Sequence, residues 1–265
     1  GTALALHSAA LGIPVVLLAT ERDDAVLTAR REDRPHPALH VPFSDVPLLP
    51  PEQWGAGLAH ADVVLVAVSS GGLEPVLRRA GGLTRPSLWL LATKGWQADT
   101  LRRPAEVAGA VLGEVPVASL AGPAIAAELV DRAPTGLLVA AAEHEVRRRA
   151  AAALAGPTTA VLTTSDVVGA ETASAFKNVV AVAVGLADGL AQRFTESAAG
   201  RAFANARGAL FARGVLDMAA LVESQGGRLA TVLGLAGAGD LYVTCAQGRN
   251  GRFGRLLGEG ATVEQ

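Results

Sequence analysis

Lys94 and Lys177 are the only two lysines in a 265-residue chain that carries 23 basic side chains. Elsewhere a positive charge is supplied by arginine, whose guanidinium keeps its proton at any accessible pH. An ammonium on a flexible stem can lose its proton when desolvated. A lysine kept in this background is therefore a candidate acid, base or point-charge clamp on a small anion. A coding bias toward arginine is the competing account, and local sequence decides between them. Lys94 ends the run Leu90-Leu91-Ala92-Thr93 and precedes Gly95. That is where ligands sit in an open α/β sheet, just past the carboxyl end of a strand. Lys177 lies between Glu171 and Gly185 in a stretch that is apolar on nearly every helical face, which marks a buried helix. An isolated buried charge costs roughly several kcal/mol, so this ammonium needs a partner. Glu171, six residues away, does not share its face at the usual helical spacing.

The elements that must hold these lysines fall into two patterns. The first half alternates strand and helix signals, which predicts a parallel sheet covered on both faces. Leu4 to Leu11 reads as a helix and Pro14 to Leu18 as a buried strand. Residues 30–60 are rich in Pro and His and predict little regular structure. Strands are expected at Ala61 to Val68, Ser87 to Thr93, Val115 to Leu120 and Thr135 to Ala142. Leu73 to Ala80 is expected to be helical, and Gly122 to Glu128 a strand exit followed by a helix start. Beyond residue 165 the strand signals stop. Asp166 to Leu190 and Phe203 to Ser224 read as long helices, the second closed by Gly226-Gly227. A glycine-rich turn, Gly234 to Gly239, leads into a short helix from Asp240 to Ala246 and then the glycine-flanked Arg249-Asn250. The expectation is α/β, a Rossmann-like domain over 1–164 followed by an all-α substrate domain over 165–265.

The opening Gly1-Thr2-Ala3, with a strand about ten residues on, looks like the tail of a dinucleotide fingerprint, whose helix N-terminus binds a pyrophosphate. The first strand and earlier glycines would then lie upstream, in a longer protein. The cluster Gly237-Ala238-Gly239 has no strand before it and is not such a fingerprint. Where an acid would hold a ribose hydroxyl stands Thr20-Glu21-Arg22. Glu21 argues for NAD, while Arg22 could take a 2′-phosphate.

A net charge of −2 gives no electrostatic footprint for nucleic acid or an anionic membrane. The single Cys245 excludes an internal disulfide and suits a cytosolic setting. Gly12 and Pro14 split the uncharged first twenty residues, so no stable membrane insertion is expected. No metal site is expected either.

Several short motifs occur together in order: Thr93-Lys94-Gly95, Gly122-Pro123 with Ala126 and Glu128, and Phe176-Lys177-Asn178-Val179. They continue with Gly189, Asn205-Ala206-Arg207, Gly239-Asp240-Leu241 with Thr244-Cys245, and Arg249-Asn250 with Arg252-Phe253-Gly254. In these the chain resembles the NAD(P)-dependent glycerol-3-phosphate dehydrogenases from Gly1 to about Gly260. The resemblance implies interconversion of dihydroxyacetone phosphate and glycerol 3-phosphate with NAD or NADP, in glycerophospholipid metabolism. It implies that Lys177 exchanges the proton of the C2 oxygen and that Lys94 contacts substrate and cofactor. Asp240 and Thr244 become the polar partners of the catalytic lysine, one helical turn apart on one face. Gly122 and Gly248 become substrate contacts, Arg249 and Asn250 a clamp on the substrate phosphate, and Arg249 also a cofactor contact. Gly1, Thr2, Ser69 and Ala126 complete the cofactor contacts, alongside Glu21 and Arg22. The partner implied is a small phosphorylated molecule, and a homodimer suits the architecture.

The chain departs from the family pattern at four places. Ala124 stands where Ser or Thr is usual, and Gln192 to Ser197 predicts a longer, more charged loop over 190–204. The start of the fingerprint and the final helical segment, with its Val-x-Glu motif, are missing. Two rivals follow: a sister reductase of another small 2-keto or 3-hydroxy acid, and a non-catalytic cofactor-binding protein.

Overall fold

The structure is a computed structural model that describes residues 1–194 and 198–263. Its contacts divide the chain into two units. The first comprises Gly1–Leu120 and Ala124–Ser165, the second Ala121–Pro123 and Asp166–Gln265. The division falls between Ser165 and Asp166 and groups Ala121–Pro123 with the helices.

The first unit begins with α1 (Thr2–Ala10), β1 (Leu17–Leu18), α2 (Asp24–Arg31), β2 (Leu48–Leu49) and α3 (Trp54–Leu58). It continues with β3 (Val63–Val66), α4 (Ser70–Leu83), β4 (Leu88–Leu91), α5 (Pro104–Leu112) and β5 (Val117–Ala121). It closes with α6 (Ala126–Val130), β6 (Thr135–Ala140), α7 (His144–Ala152) and β7 (Thr159–Thr164). Five strands form one sheet in the order β3-β4-β5-β6-β7, and β1 pairs with β2 separately. The pairs β3–β4, β4–β5 and β6–β7 are parallel.

The strand β4 shows why the sheet needs two covers. All four of its residues are buried, and successive side chains point to opposite faces. Trp89 and Leu91 pack with Leu73, Leu77, Val107 and Trp54. Leu88 and Leu90 pack instead with Leu137, Val139, Val146 and Leu154.

Several expectations are corrected here. The strand over Pro14 to Leu18 is only Leu17–Leu18 and half-buried, because Pro14 has no N–H to offer a ladder. Residues 30–60 hold more order than their Pro content suggested, including β2 and α3. Trp54 anchors this stretch, its indole N–H donating to the Ala19 carbonyl at 2.7 Å. The strand β7 and the helix α7 carry no strong pattern: β7 is largely exposed along its length, so its apolar positions do not alternate cleanly.

The second unit is helical: α8 (Val167–Arg193), α9 (Ala198–Ser224), α10 (Leu229–Leu233), α11 (Asp240–Gln247) and α12 (Arg249–Glu259). Asp166 caps α8 by accepting from the Gly169 N–H at 2.8 Å. Its other oxygen accepts from the Thr231 hydroxyl at 2.6 Å and the Arg228 N–H at 2.9 Å, which ties α10 to the start of α8. The core joins Val180, Ala181 and Val184 of α8 to Met218 and Val222 of α9, Val232 of α10 and Leu241 of α11.

The helices α8 and α12 approach backbone to backbone. A Cβ at Gly185 would meet the Gly251 carbonyl, and one at Gly189 the Arg255 carbonyl. From the other side, Cβ atoms at Gly254 and Gly258 would meet the carbonyls of Val182 and Leu186. Two further expectations change. The turn over Gly234 to Gly239 is a π-helical turn over Leu235–Gly239. The loop expected over 190–204 is mostly helix, since α8 runs to Arg193 and α9 starts at Ala198. Thr195, Glu196 and Ser197 lie outside the described residues.

Candidate active site

Lys177 is buried in the middle of α8, at 5% exposure, and its charge is answered from α11. The Nζ lies 2.5 Å from Oδ1 of Asp240 and donates to the Thr244 hydroxyl at 2.9 Å. Thr244 in turn donates to the Asp240 carbonyl at 2.6 Å, one helical turn back. Asp240 and Thr244 are themselves buried, at 2% and 8%. A carboxylate this close, away from water, stabilises the ammonium, and the hydroxyl oriented by its own helix fixes where the Nζ protons point. An ammonium has three donors. Two of them are directed at Asp240 and Thr244, which orients the Nζ.

The chain reaches this geometry through local rules. Asp240 begins α11 directly after the π-helical turn, and Thr244 follows at i+4 on the same face. Gly237 permits that turn, since a Cβ there would fall on the Val232 backbone. Gly122, with φ of +97°, makes the sharp exit from β5, and Pro123 packs within reach of Gly239.

The helix α11 ends at Gly248, whose missing side chain leaves room for the Thr244 backbone. Arg249 and Asn250 are the first two residues of α12. Gly248 is the N-cap, no side chain caps the helix, and no acid occupies its first turn. The first N–H groups of an α-helix have no intrahelical acceptor and carry the positive end of its dipole. With an exposed Arg249 and a half-buried Asn250 at the same end, this terminus has the donor set for a phosphate.

The first unit holds the remaining residues. Gly1 caps α1 without a side chain, Thr2 is its first residue, and its first turn has no acid. A helix start with this composition has the backbone donors a pyrophosphate needs, so the residues present fit a dinucleotide there. Ser69 is the N-cap of α4 at the exit of β3. Lys94 follows β4 and is half-buried; Thr93 beside it donates to the Val68 carbonyl at 2.9 Å. Ala126 begins α6 and is exposed, as is Ala124. Arg22 is exposed on the turn after β1. Glu21, on the same turn, is paired with Arg79 of α4 at 2.5 Å.

Comparisons with known proteins fit this two-part layout. The model of the NAD-dependent glycerol-3-phosphate dehydrogenase N-terminus matches residues 1–147, and that of the C-terminus matches residues 166–265. The chain belongs to the NAD-dependent glycerol-3-phosphate dehydrogenase family. A glycerol-3-phosphate dehydrogenase [NAD(P)+] of Nitrosococcus oceani is 37% identical over 100% of this chain and 75% of its own length. One from Cronobacter sakazakii is 36% identical over 100% of this chain and 76% of its own. The crystal structure of glycerol-3-phosphate dehydrogenase from Coxiella burnetii is 32% identical with a TM-score of 0.86, covering 99% of this chain and 78% of that one.

For a member of the glycerol-3-phosphate dehydrogenase family, one feature of this chain lies outside every shared motif. Arg79 and Trp54 carry no motif, and only the fold brings them to Glu21. Cys245 is half-buried beside the polar centre. Burial and then the nearby Asp188 carboxylate push its thiol up to about 11, against a smaller opposing pull from Lys177, so it stays protonated and is a poor nucleophile.

Proposed function

We propose that this chain interconverts dihydroxyacetone phosphate and sn-glycerol 3-phosphate, with Lys177 exchanging the proton of the C2 oxygen. The observation that carries the reading is the buried Lys177–Asp240–Thr244 arrangement, in a chain whose relatives are named for this reaction. The hydride to C2 would come from NAD(P)H when that coenzyme is bound. Reduction then needs one proton on the former carbonyl oxygen, and the Lys177 ammonium donates it; in oxidation the neutral amine takes it back. Asp240 keeps the proton donor charged and in place before reaction, so little reorganisation is needed at the transition state. Thr244 holds the Nζ in register. Arg249, Asn250 and the N–H groups opening α12 bind the substrate phosphate, with Gly248 and Gly122 offering backbone groups. Lys94, just past the carboxyl end of β4, is the lysine that the first unit contributes in this reading. Gly1, Thr2, Ser69, Ala126 and Glu21 line the dinucleotide in this reading.

Two segments, Val167–Arg193 and Leu229–Gln247, are long and apolar enough by composition to cross a bilayer, and 61% and 39% of their apolar windows are buried within the protein. The burial of α8 favours a core helix, in an enzyme that in this reading acts on a small phosphorylated molecule in the cytoplasm. The rival keto-acid reductase is disfavoured by the α12 terminus, where a helix end, an arginine and an asparagine suit a dianionic phosphate better than a carboxylate.

The test is oxidation of NADH and NADPH followed at 340 nm with dihydroxyacetone phosphate and with dihydroxyacetone. Turnover confined to the phosphate ester supports the reading. Equal turnover of both ketones removes the phosphate clamp, and reduction of a keto acid alone favours the rival.

A further inference from the structure

The turn after β1 is where a dinucleotide fold reads the adenosine ribose. An acid there accepts from the 2′-hydroxyl of NAD and repels the 2′-phosphate of NADP. In this chain that acid, Glu21, is already answered. Arg79 of α4 places Nη1 at 2.5 Å from its Oε1. Two further contacts hold the guanidinium without involving Glu21: Nη2 donates to the Pro51 carbonyl at 2.5 Å, and Cζ lies 4.4 Å over the Trp54 ring. Trp54 is 4% exposed and hydrogen-bonded to the Ala19 carbonyl, so the platform under the guanidinium is fixed.

We propose that Arg79 sets the coenzyme preference of this chain, allowing it to accept the 2′-phosphorylated dinucleotide NADP(H) despite Glu21. The inference rests on the dinucleotide-binding reading above. Glu21 is 70% exposed at its side chain and Arg79 36%, so the carboxylate can leave while the guanidinium stays on Trp54 and Pro51. A phosphate arriving at the 2′ position then meets a planar, permanently charged fork already in place. Without a phosphate, Arg79 neutralises Glu21, and the exposed carboxylate can accept from a ribose hydroxyl. One pair thus serves both coenzymes, by exchange of the anion on a fixed cation.

The test is a set of dissociation constants for NADPH and NADH, from coenzyme fluorescence, in wild type and in Arg79→Gln, Arg79→Lys and Glu21→Gln. Arg79→Gln is expected to weaken NADPH by at least ~10-fold while NADH changes by less than ~3-fold. Retained NADH binding also reports that the variant is folded. Arg79→Lys, which keeps the charge but loses the fork and the stack, is expected to fall between. Glu21→Gln is expected to weaken NADH more than NADPH. As a separate probe, 2′,5′-ADP is expected to displace NADPH from wild type and to bind Arg79→Gln at least ~10-fold more weakly. An unchanged ratio of NADPH to NADH affinity in Arg79→Gln, or equal loss of both ligands, overturns the inference alone. Wild-type protein that binds neither dinucleotide overturns the dehydrogenase reading and this inference with it.

Discussion

Lys177 and Arg79 are each held by a carboxylate at 2.5 Å, one in the helical unit and one in the sheet unit. Their surroundings differ in nearly every other respect. The Lys177–Asp240 pair has side chains 7% and 3% exposed and a buried hydroxyl as third member. The Arg79–Glu21 pair is 36% and 70% exposed and rests on an aromatic face. A buried pair is costly to assemble and very costly to break, because losing one partner strands the other charge without water. An exposed pair contributes little to stability, being screened and solvated, and so its anion can be exchanged. The first arrangement suits a proton donor that must not move. The second suits a place where one anion gives way to another.

The sharpest way to break this contrast is Asp240→Ala, which strands the Lys177 ammonium. A loss of about 3–5 kcal/mol is expected in urea unfolding; a loss near zero would mean that the centre is solvated and the contrast empty. Arg249→Ala is expected to raise KM for dihydroxyacetone phosphate by at least ~10-fold through the lost charge-assisted bonds, with cofactor affinity far less affected. An unchanged KM would take the anion site away from α12. Gly189→Ala probes the packing that brings α12 against α8. The added methyl meets the Arg255 backbone, and about 1–3 kcal/mol of destabilisation is expected. Cys245 sharpens the account of burial, since its raised pKa predicts slow alkylation by iodoacetamide at pH 7.5 in the native state and fast alkylation in urea. Rapid labelling of the folded protein would show that water reaches this region. The smallest effect is expected for Glu21→Gln on folding, with the urea midpoint unmoved. A clear downward shift would make that pair structural.

The contrast also explains what the sequence disclosed. Lys177 stood out because a charge inside an apolar helix demands a partner, and Asp240 and Thr244 at i, i+4 could supply one face of it. Buried chemistry leaves such a conflict in the local pattern. The sheet was legible for a related reason: strands like Leu88–Leu91, covered on both faces, read as short apolar runs. Arg79 left no trace, because an arginine on an exposed helix face is ordinary and its meaning depends on Trp54 and Glu21, 25 and 58 residues away. The helix α12 carried no recognisable signal for a similar reason. Gly251, Gly254 and Gly258 resemble turn residues in sequence, and only packing against Gly185 and Gly189 shows that the chain needs them for close helix contact.

The most direct measurement of the central claim is a single-turnover reaction of Lys177→Met with NADH and dihydroxyacetone phosphate, with the NADH dissociation constant determined on the same sample. The account predicts a hydride-transfer rate at least ~10²-fold below wild type with NADH affinity within ~3-fold, the usual scale of loss for a general acid. A variant that reduces the ketone at a near-normal rate would contradict it, and would leave the buried Lys177–Asp240–Thr244 centre as a structural ion pair.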